Sequence, residues 1–109
     1  MTLQSLNHLF YTLKWKKYNE GEHIFKEYDN SDMIVIITNG LCEVYTYFEG
    51  NKFIIEYLSV GSVINQDNFF MEDLMYTNIR CLKQTSVQYL TLEGYETICN
   101  EHEHFKIQS

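Results

Sequence analysis

The sequence predicts a mainly β domain, a sandwich or jelly roll of short strands with a helix before it and a helix after it. From His23 to Leu92, β-branched and aromatic runs alternate with turn residues about every eight to twelve positions, as in such folds. The chain has 109 residues, which supports one domain with one core. Apolar residues make up 45% of it and aromatic residues 16%, which is enough to fill that core.

Apolar periodicity predicts the two flanking helices. Near the start, apolar side chains recur three and four positions apart, a spacing that puts them on one helix face: Leu3, Leu6, Leu9, Phe10 and Leu13. We therefore predict a helix over residues 1–17, ended by the turn residues Asn19-Glu20-Gly21. A similar face near the end predicts a helix over residues 93–109: Tyr95, Ile98, Cys99, His102 and Phe105.

The strands are predicted from runs between turn signals. The β-branched run from Met33 to Thr38 predicts a strand buried on both sides. Asn39-Gly40 predicts a two-residue hairpin, because both residues accept a positive φ, and Glu49-Gly50-Asn51 predicts a further turn. The other predicted strands are Leu41–Phe48, Phe53–Leu58, Thr77–Cys81 and Val87–Leu92.

One segment interrupts the β pattern. Between residues 67 and 75, Phe69, Phe70, Leu74 and Met75 follow helical spacing and do not alternate. We therefore predict a short helix inside the roll, which is an uncommon arrangement.

Charge excludes some classes of partner. The net charge is −7, and Arg80 is the single arginine among eight basic residues, so the chain lacks the basic surface that nucleic-acid binding needs. Lys14, Lys16 and Lys17 flank Trp15, and we interpret them as a solvated helix end in preference to a membrane-facing or partner-facing patch. No apolar run approaches the ~20 residues of a membrane span, so direct membrane insertion is not expected.

The cysteines and histidines give no metal or catalytic pattern. Cys42, Cys81 and Cys99 form no CxxC pair, which predicts neither disulfides nor zinc but core thiols in a reducing, cytoplasmic environment. His102 and His104 point about 200° apart on a helix, so they cannot readily bind one ion. His8 and His23 are isolated, and no serine-nucleophile or glycine-rich phosphate motif occurs. We expect no catalytic residue, metal or cofactor. A metal-dependent enzyme of the cupin type is therefore the least favoured of the functions considered below.

Several runs resemble one known family. Tyr18 to Asp29, Asp32 to Gly40, Glu43 to Tyr45 and then Gly61 are similar, in order and spacing, to cyclic-nucleotide-binding domains over about Leu13 to Phe105. The resemblance implies an eight-stranded β-roll (a double-stranded β-helix) with flanking helices and a short helix in the phosphate-binding cassette. It implies one domain over residues 1–109, with the roll at 18–92 and the usual lid helix truncated. Tyr28 stands where the family has glycine, so we expect that corner to adopt a conformation that suits a bulky residue.

The resemblance also implies a ligand site, in degenerate form. The implied ligand-binding residues are Gly61, Ile64, Asn65, Gln66, Asp67, Asn68, Met75, Tyr76 and Thr77. The family's Phe-Gly-Glu becomes Ile64-Asn65-Gln66, and its phosphate-pairing arginine becomes Met75. Arg80 lies five positions further along, an odd offset that places it on the opposite face of a strand. Loss of one such charge partner costs on the order of 2–5 kcal/mol, or roughly 30- to 5,000-fold in affinity.

Alternatives remain open at this site. Asn65-Gln66-Asp67 is equally a helix N-cap that implies no ligand, and Tyr76 or Phe69 is a candidate to fill an empty pocket. The predicted function is a non-catalytic regulatory domain of a larger protein that binds cAMP or cGMP weakly or not at all. Residues 55–65 and 78–81 look most like the cytoplasmic domains of ion channels. The alternative is a protein-interaction or assembly module with no small-molecule ligand. For either function, we expect the rest of the parent protein to be the partner and any oligomerisation to go through the parent.

Overall fold

The structure, a computed structural model, describes residues 13–30, 32–65 and 74–101, with side chains described as far as residue 97. Eight strands and one helix are found in these ranges. They are β1 (Lys14–Tyr18), β2 (His23–Phe25), β3 (Met33–Asn39), β4 (Leu41–Phe48), β5 (Asn51–Ser59), β6 (Val63–Ile64), β7 (Asn78–Cys81), β8 (Thr85–Thr91) and α1 (Leu92–Glu101).

The strands form two four-stranded antiparallel sheets. One sheet has the order β1-β8-β3-β6 and the other the order β2-β7-β4-β5. The chain changes sheet at nearly every connection, and only β4 and β5 are consecutive strands that pair with each other. This arrangement confirms the predicted mainly β roll of eight strands.

The core lies between the sheets and is built by alternation along the strands. In β3, Val35 and Ile37 point inward and are 0% and 1% exposed, whereas Ile34 and Ile36 are only half-buried. The prediction that this strand is buried on both sides is therefore wrong for its outer face. Val87 from β8 and Cys42 from β4 complete the centre, and both are fully buried.

Two turn predictions had different outcomes. The predicted hairpin at Asn39-Gly40 is wrong, because β3 pairs with β6 and β8 while β4 pairs with β5 and β7. The chain crosses between the sheets there, and Gly40 has a φ of 126°. A Cβ at Gly40 would lie 2.7 Å from the Cα of Thr85, so the crossing needs glycine for close approach as well as for φ. The hairpin lies at Glu49-Gly50, where both residues have positive φ.

The first helix prediction is wrong for residues 14–17. These residues form β1, which pairs with β8 from Lys14↔Tyr89 to Tyr18↔Thr85. The backbone satisfies its hydrogen bonds on this sheet edge, so the three lysines and Trp15 are exposed on a strand and not on a helix end. Leu13 is not helical either, and residues 1–12 of the predicted helix lie outside the described part of the chain.

The second helix is confirmed where it is described. It begins at Leu92, and the hydroxyl of Thr91 accepts a hydrogen bond from the Gly94 N–H at 3.0 Å, as an N-cap residue does. Residues 102–109 lie outside the described part of the chain.

The helix predicted within the roll can be checked only at its end. Residues 66–73 lie outside the described part of the chain, and Leu74 forms an isolated bridge with Asn30. A helix extending to Leu74 and Met75 is therefore wrong at that end.

Candidate functional site

A pocket of about 360 Å³ lies where β4, β5 and β6 meet the segment before β7. Its floor is apolar and buried, and its remaining lining is polar or exposed. The lining residues are Val44, Glu56, Leu58, Val63, Ile64, Asn65, Met75, Tyr76, Thr77 and Ile79. The pocket therefore combines an apolar base with a small number of polar groups, as small-molecule sites commonly do.

Several residues singled out from the sequence meet in this pocket. They are Ile64, Asn65, Met75, Tyr76 and Thr77. Gly61 instead forms a turn with a φ of 91° and does not line the pocket. Gln66, Asp67 and Asn68 lie outside the described residues.

Asn65 adopts a backbone conformation that glycine usually provides. Its φ is 68°, in the left-handed region that asparagine tolerates better than most residues. Its side-chain amide donates a hydrogen bond to the carbonyl of Met33 at 3.0 Å, which ties the end of β6 to the start of β3. The position thus keeps a left-handed conformation while carrying a Cβ at the pocket lining.

A sequence-family comparison identifies the domain to which this roll belongs. The profile of the cyclic nucleotide-binding domain matches residues 15–102, most of the chain. The chain belongs to the cyclic nucleotide-binding domain family.

Known proteins similar to this cyclic nucleotide-binding domain occur in several settings. Lysophospholipase nte1 of Aspergillus fumigatus is 24% identical over 105 residues, which cover 94% of this chain and 7% of that protein. The N-terminal domain of a transcriptional regulator from Streptomyces coelicolor superposes with a TM-score of 0.86 at 14% identity, over 95% of this chain and 75% of that one. The regulatory domain of Toxoplasma gondii PKA, solved with cAMP, superposes with a TM-score of 0.80 at 12% identity. The match covers 90% of this chain and 38% of that one. At these identities the two structural likenesses show a shared fold.

In this cyclic nucleotide-binding domain, the position that resembles the family's arginine is part of the core. Met75 is 6% exposed and packs in the main apolar cluster. Arg80 does not replace it, because its Nε donates to the carbonyl of Gly21 at 3.4 Å and its Nη1 lies 4.0 Å from Glu43 Oε1. These contacts are on the outer face of the sheet, away from the pocket, as predicted for Arg80. The strand offset was not the reason, because Met75 lies before β7 and not on it.

The outer face of this sheet holds a compact polar cluster. Glu43 is only 4% exposed, and the Nζ of Lys52 lies 2.5 Å from its Oε1. The same ammonium group lies 4.4 Å from the ring centroid of Tyr45, whose hydroxyl is 2.5 Å from Nε2 of His23. Burial, followed by neighbouring cations, lowers the pKa of His23. The cations of this cluster thus already have partners on the side of the sheet opposite the pocket.

The charge facing the pocket is negative. Among the residues that the structure describes, no lysine or arginine lines it, whereas Glu56 does. Glu56 pairs with the buried Val44, so its side chain emerges on the inner face of the sheet. Sequence reasoning missed Glu56, although it stands two positions before the inward-facing Leu58 and so shares its face.

The corner before β3 holds Met75 in place. Tyr28 has a φ of 73°, so it keeps the left-handed conformation, contrary to the expectation that a bulky residue would change the corner. Its N–H donates to the Met75 carbonyl at 2.6 Å, and the Met75 N–H donates to the Asp29 carbonyl at 2.8 Å. The Asp29 carboxylate also accepts from the Lys26 N–H at 2.8 Å. These hydrogen bonds stabilise the corner by more than the left-handed conformation of Tyr28 destabilises it.

The described residues include neither a metal-binding cluster nor a membrane-spanning helix. Within residues 13–30, 32–65 and 74–101, no group of three or more His, Cys, Asp or Glu side chains is placed to hold a metal ion. In the same part of the chain, no helix has the length and apolar content needed to cross a membrane.

Proposed function

We propose that this domain is a non-catalytic regulatory module of a larger protein, and that its pocket binds cAMP or cGMP weakly or not at all. The observation that carries the proposal is the charge of the pocket. Glu56 lines it, Met75 stands at the position that resembles the family's arginine, and Arg80 contacts Gly21 and Glu43 on the other face. A cyclic phosphate entering this pocket finds one carboxylate and no described cation in its lining.

The energetic consequence follows from the loss of the ion pair. A charge-assisted partner of a buried phosphate contributes on the order of 2–5 kcal/mol, so its absence lowers affinity by roughly 30- to 5,000-fold. The exposed Glu56 carboxylate adds a smaller, salt-dependent repulsion. Ligand binding at micromolar concentrations is therefore not expected for either cyclic nucleotide.

Calorimetric titration with cAMP and cGMP tests the proposal. We expect no saturable binding below about 0.1 mM, and binding tighter than about 10 μM would contradict the proposal. Two variants return a cation to the pocket. Met75→Arg places it at a buried position, and Tyr76→Arg places it on a 70% exposed side chain that tolerates the change.

We expect at least one of these variants to bind cAMP tenfold or more tightly than the unmodified domain. Tyr47→Arg, at another exposed tyrosine outside the pocket, adds the same charge and should change nothing. If neither pocket variant gains affinity while both retain the thermal stability of the control, the missing cation is not the cause of weak binding.

We further propose that the parent is an ion channel and that this domain lies in the cytoplasm. The support for a channel is the resemblance of residues 55–65 and 78–81 to the cytoplasmic domains of channels. The 7% of nte1 that the matching region spans supports only a larger parent protein. Sequencing the complete transcript tests this idea directly. Apolar segments of about 20 residues upstream of the domain would support a channel, and a hydrolase or DNA-binding region in their place would refute it.

A second candidate function is a protein-interaction or assembly module, and the β4–β5 hairpin favours it. Six large side chains of the hairpin are 47–64% exposed: Tyr47, Phe48, Phe53, Ile54, Ile55 and Tyr57. Their register places Phe53 on one face of the hairpin and Ile54 and Tyr57 on the other, so apolar side chains are exposed on both faces. Exposed apolar surface commonly marks interaction sites. Sedimentation measured against concentration tests whether the surface drives self-assembly. Phe53→Ser with Ile54→Ser should abolish any assembly, whereas Trp15→Ser, at an exposed aromatic residue on β1, should leave it unchanged.

A further inference from the structure

We infer that the pocket selects its ligand by charge, with Glu56 as the selecting group, and that its ligand class is a small organic cation with a flat, largely apolar body. This inference rests on the proposed function, because it assumes that the pocket is still a ligand site. It goes further by assigning a specificity residue and reversing the charge preference that the family resemblance implies.

The position of Glu56 follows from the register of β4 and β5. Glu56 pairs with Val44 and lies two residues from Leu58, and both of these neighbours are core residues that also line the pocket. A shift in register falls between Val44 and Tyr45, so that Tyr45 pairs with Ile54 and residue 55 is extra. The β-bulge therefore lies on the hairpin side of Glu56, and the unbroken register from Glu56 to Leu58 keeps both side chains on the inner face.

No described group in the pocket opposes a cation. The other polar lining residues, Asn65, Tyr76 and Thr77, are uncharged, and their oxygen atoms are hydrogen-bond acceptors. The basic side chains nearest in sequence lie elsewhere: Lys52 binds Glu43, and Arg80 contacts Gly21. A ligand cation therefore meets one carboxylate and neutral acceptors.

The floor of the pocket indicates the rest of the ligand. Val44, Leu58, Ile64, Met75 and Ile79 are 3–9% exposed and present a buried apolar surface. A cavity of about 360 Å³ accepts a molecule the size of a nucleoside or an aromatic amine. The exposed ring of Tyr76 offers an aromatic face at the rim, a surface that attracts organic cations.

The size of the charge effect can be bounded from the cavity. A sphere of this volume is about 9 Å across, so any charge on a bound ligand lies within about 9 Å of the lining. At that distance, with the high effective dielectric of an exposed carboxylate, we expect affinity to change by about two- to fivefold for each unit of ligand charge. The effect should shrink as salt is added, because exposed charges are screened.

Three ligands that share one base and sugar provide the test. They are cAMP, adenosine and 5′-amino-5′-deoxyadenosine, which carry charges of −1, 0 and +1 at pH 7. We expect affinity to rise in that order for the unmodified domain, measured by ligand-observed NMR or calorimetry at low salt. Glu56→Gln should flatten the series, and Glu49→Gln, which removes an exposed carboxylate outside the pocket, should leave it intact.

Each outcome has one meaning. A rising series that Glu56→Gln flattens supports the inference. A series that rises equally in Glu56→Gln refutes the role of Glu56. Absence of binding by all three ligands at millimolar concentration refutes the inference but leaves the interaction module standing. If cAMP binds most tightly of the three, with a Kd below about 10 μM, both the inference and the proposed function are wrong.

Discussion

Replacing Tyr28 by glycine should stabilise the domain. Tyr28 has a φ of 73°, and the left-handed conformation costs a residue with a Cβ about 1–2 kcal/mol. Its side chain is 73% exposed, so removing the ring loses little packing. Glycine costs about 0.5–1 kcal/mol through its greater freedom in the unfolded chain. The net gain should be about 0.5–1 kcal/mol, equivalent to a rise in Tm of about 2 to 8 °C for a domain of this size.

The assay is thermal and urea unfolding of three proteins: the unmodified domain, Tyr28→Gly and Tyr28→Ala. Alanine removes the ring but keeps the Cβ, so it retains the backbone strain and separates the two contributions. We expect Tyr28→Ala to unfold near the unmodified domain and Tyr28→Gly to unfold later. Equal midpoints for the glycine and alanine variants would refute the claim that this corner is strained. They would also show that the hydrogen bonds to Met75 hold it without cost.

Two other predictions concern the core. Gly40→Ala should destabilise the domain by about 3 kcal/mol or more, because the new Cβ would lie 2.7 Å from the Thr85 backbone at a positive φ. Gly50→Ala has positive φ but open space around it, so urea unfolding should show a loss of only about 1 kcal/mol; equal losses would contradict the clash. Burial, followed by the charge of Cys81, raises the pKa of the Cys42 thiol to about 12. Above pH 9 the unfolded thiol ionises while the folded one stays neutral, so the free energy of unfolding should fall as the pH rises from 9 toward 12. Cys42→Ala should have a shallower alkaline slope in that window, and an unchanged slope would count against the raised pKa.

The sequence was informative about strands and less so about their partners. The limits of β4 at Leu41 and Phe48 were predicted correctly, because apolar runs and turn residues mark strand ends locally. The hairpin at Asn39-Gly40 was not, since the same local signal serves a crossing between sheets and only distant pairing distinguishes the two. The helix predicted over residues 14–17 failed for a related reason. The edge of β8 that satisfies this backbone lies about 70 residues away in the chain.

The candidate site was predictable where family spacing applied. That spacing identified Asn65 and Met75 as lining residues, but it gave no signal for Glu56. Residues 53–58 carry apolar side chains on both alternating sets, so alternation alone does not say which set faces inward. The bulge at residue 55 also changes which alternate residues face inward in the part of β5 before it. The inward face of β5 therefore had to be read from its register with β4.

The pairing of β1 with β8 has a consequence for how the domain is made. β8 occupies the centre of its sheet, between β1 and β3, and it is the last of the described strands to leave the ribosome. Until it emerges, β1 has no described strand to bond, and β3 has only the two-residue β6. The sheet therefore closes only after synthesis of the roll is complete, and a nascent chain stopped before Thr85 should stay open to protease.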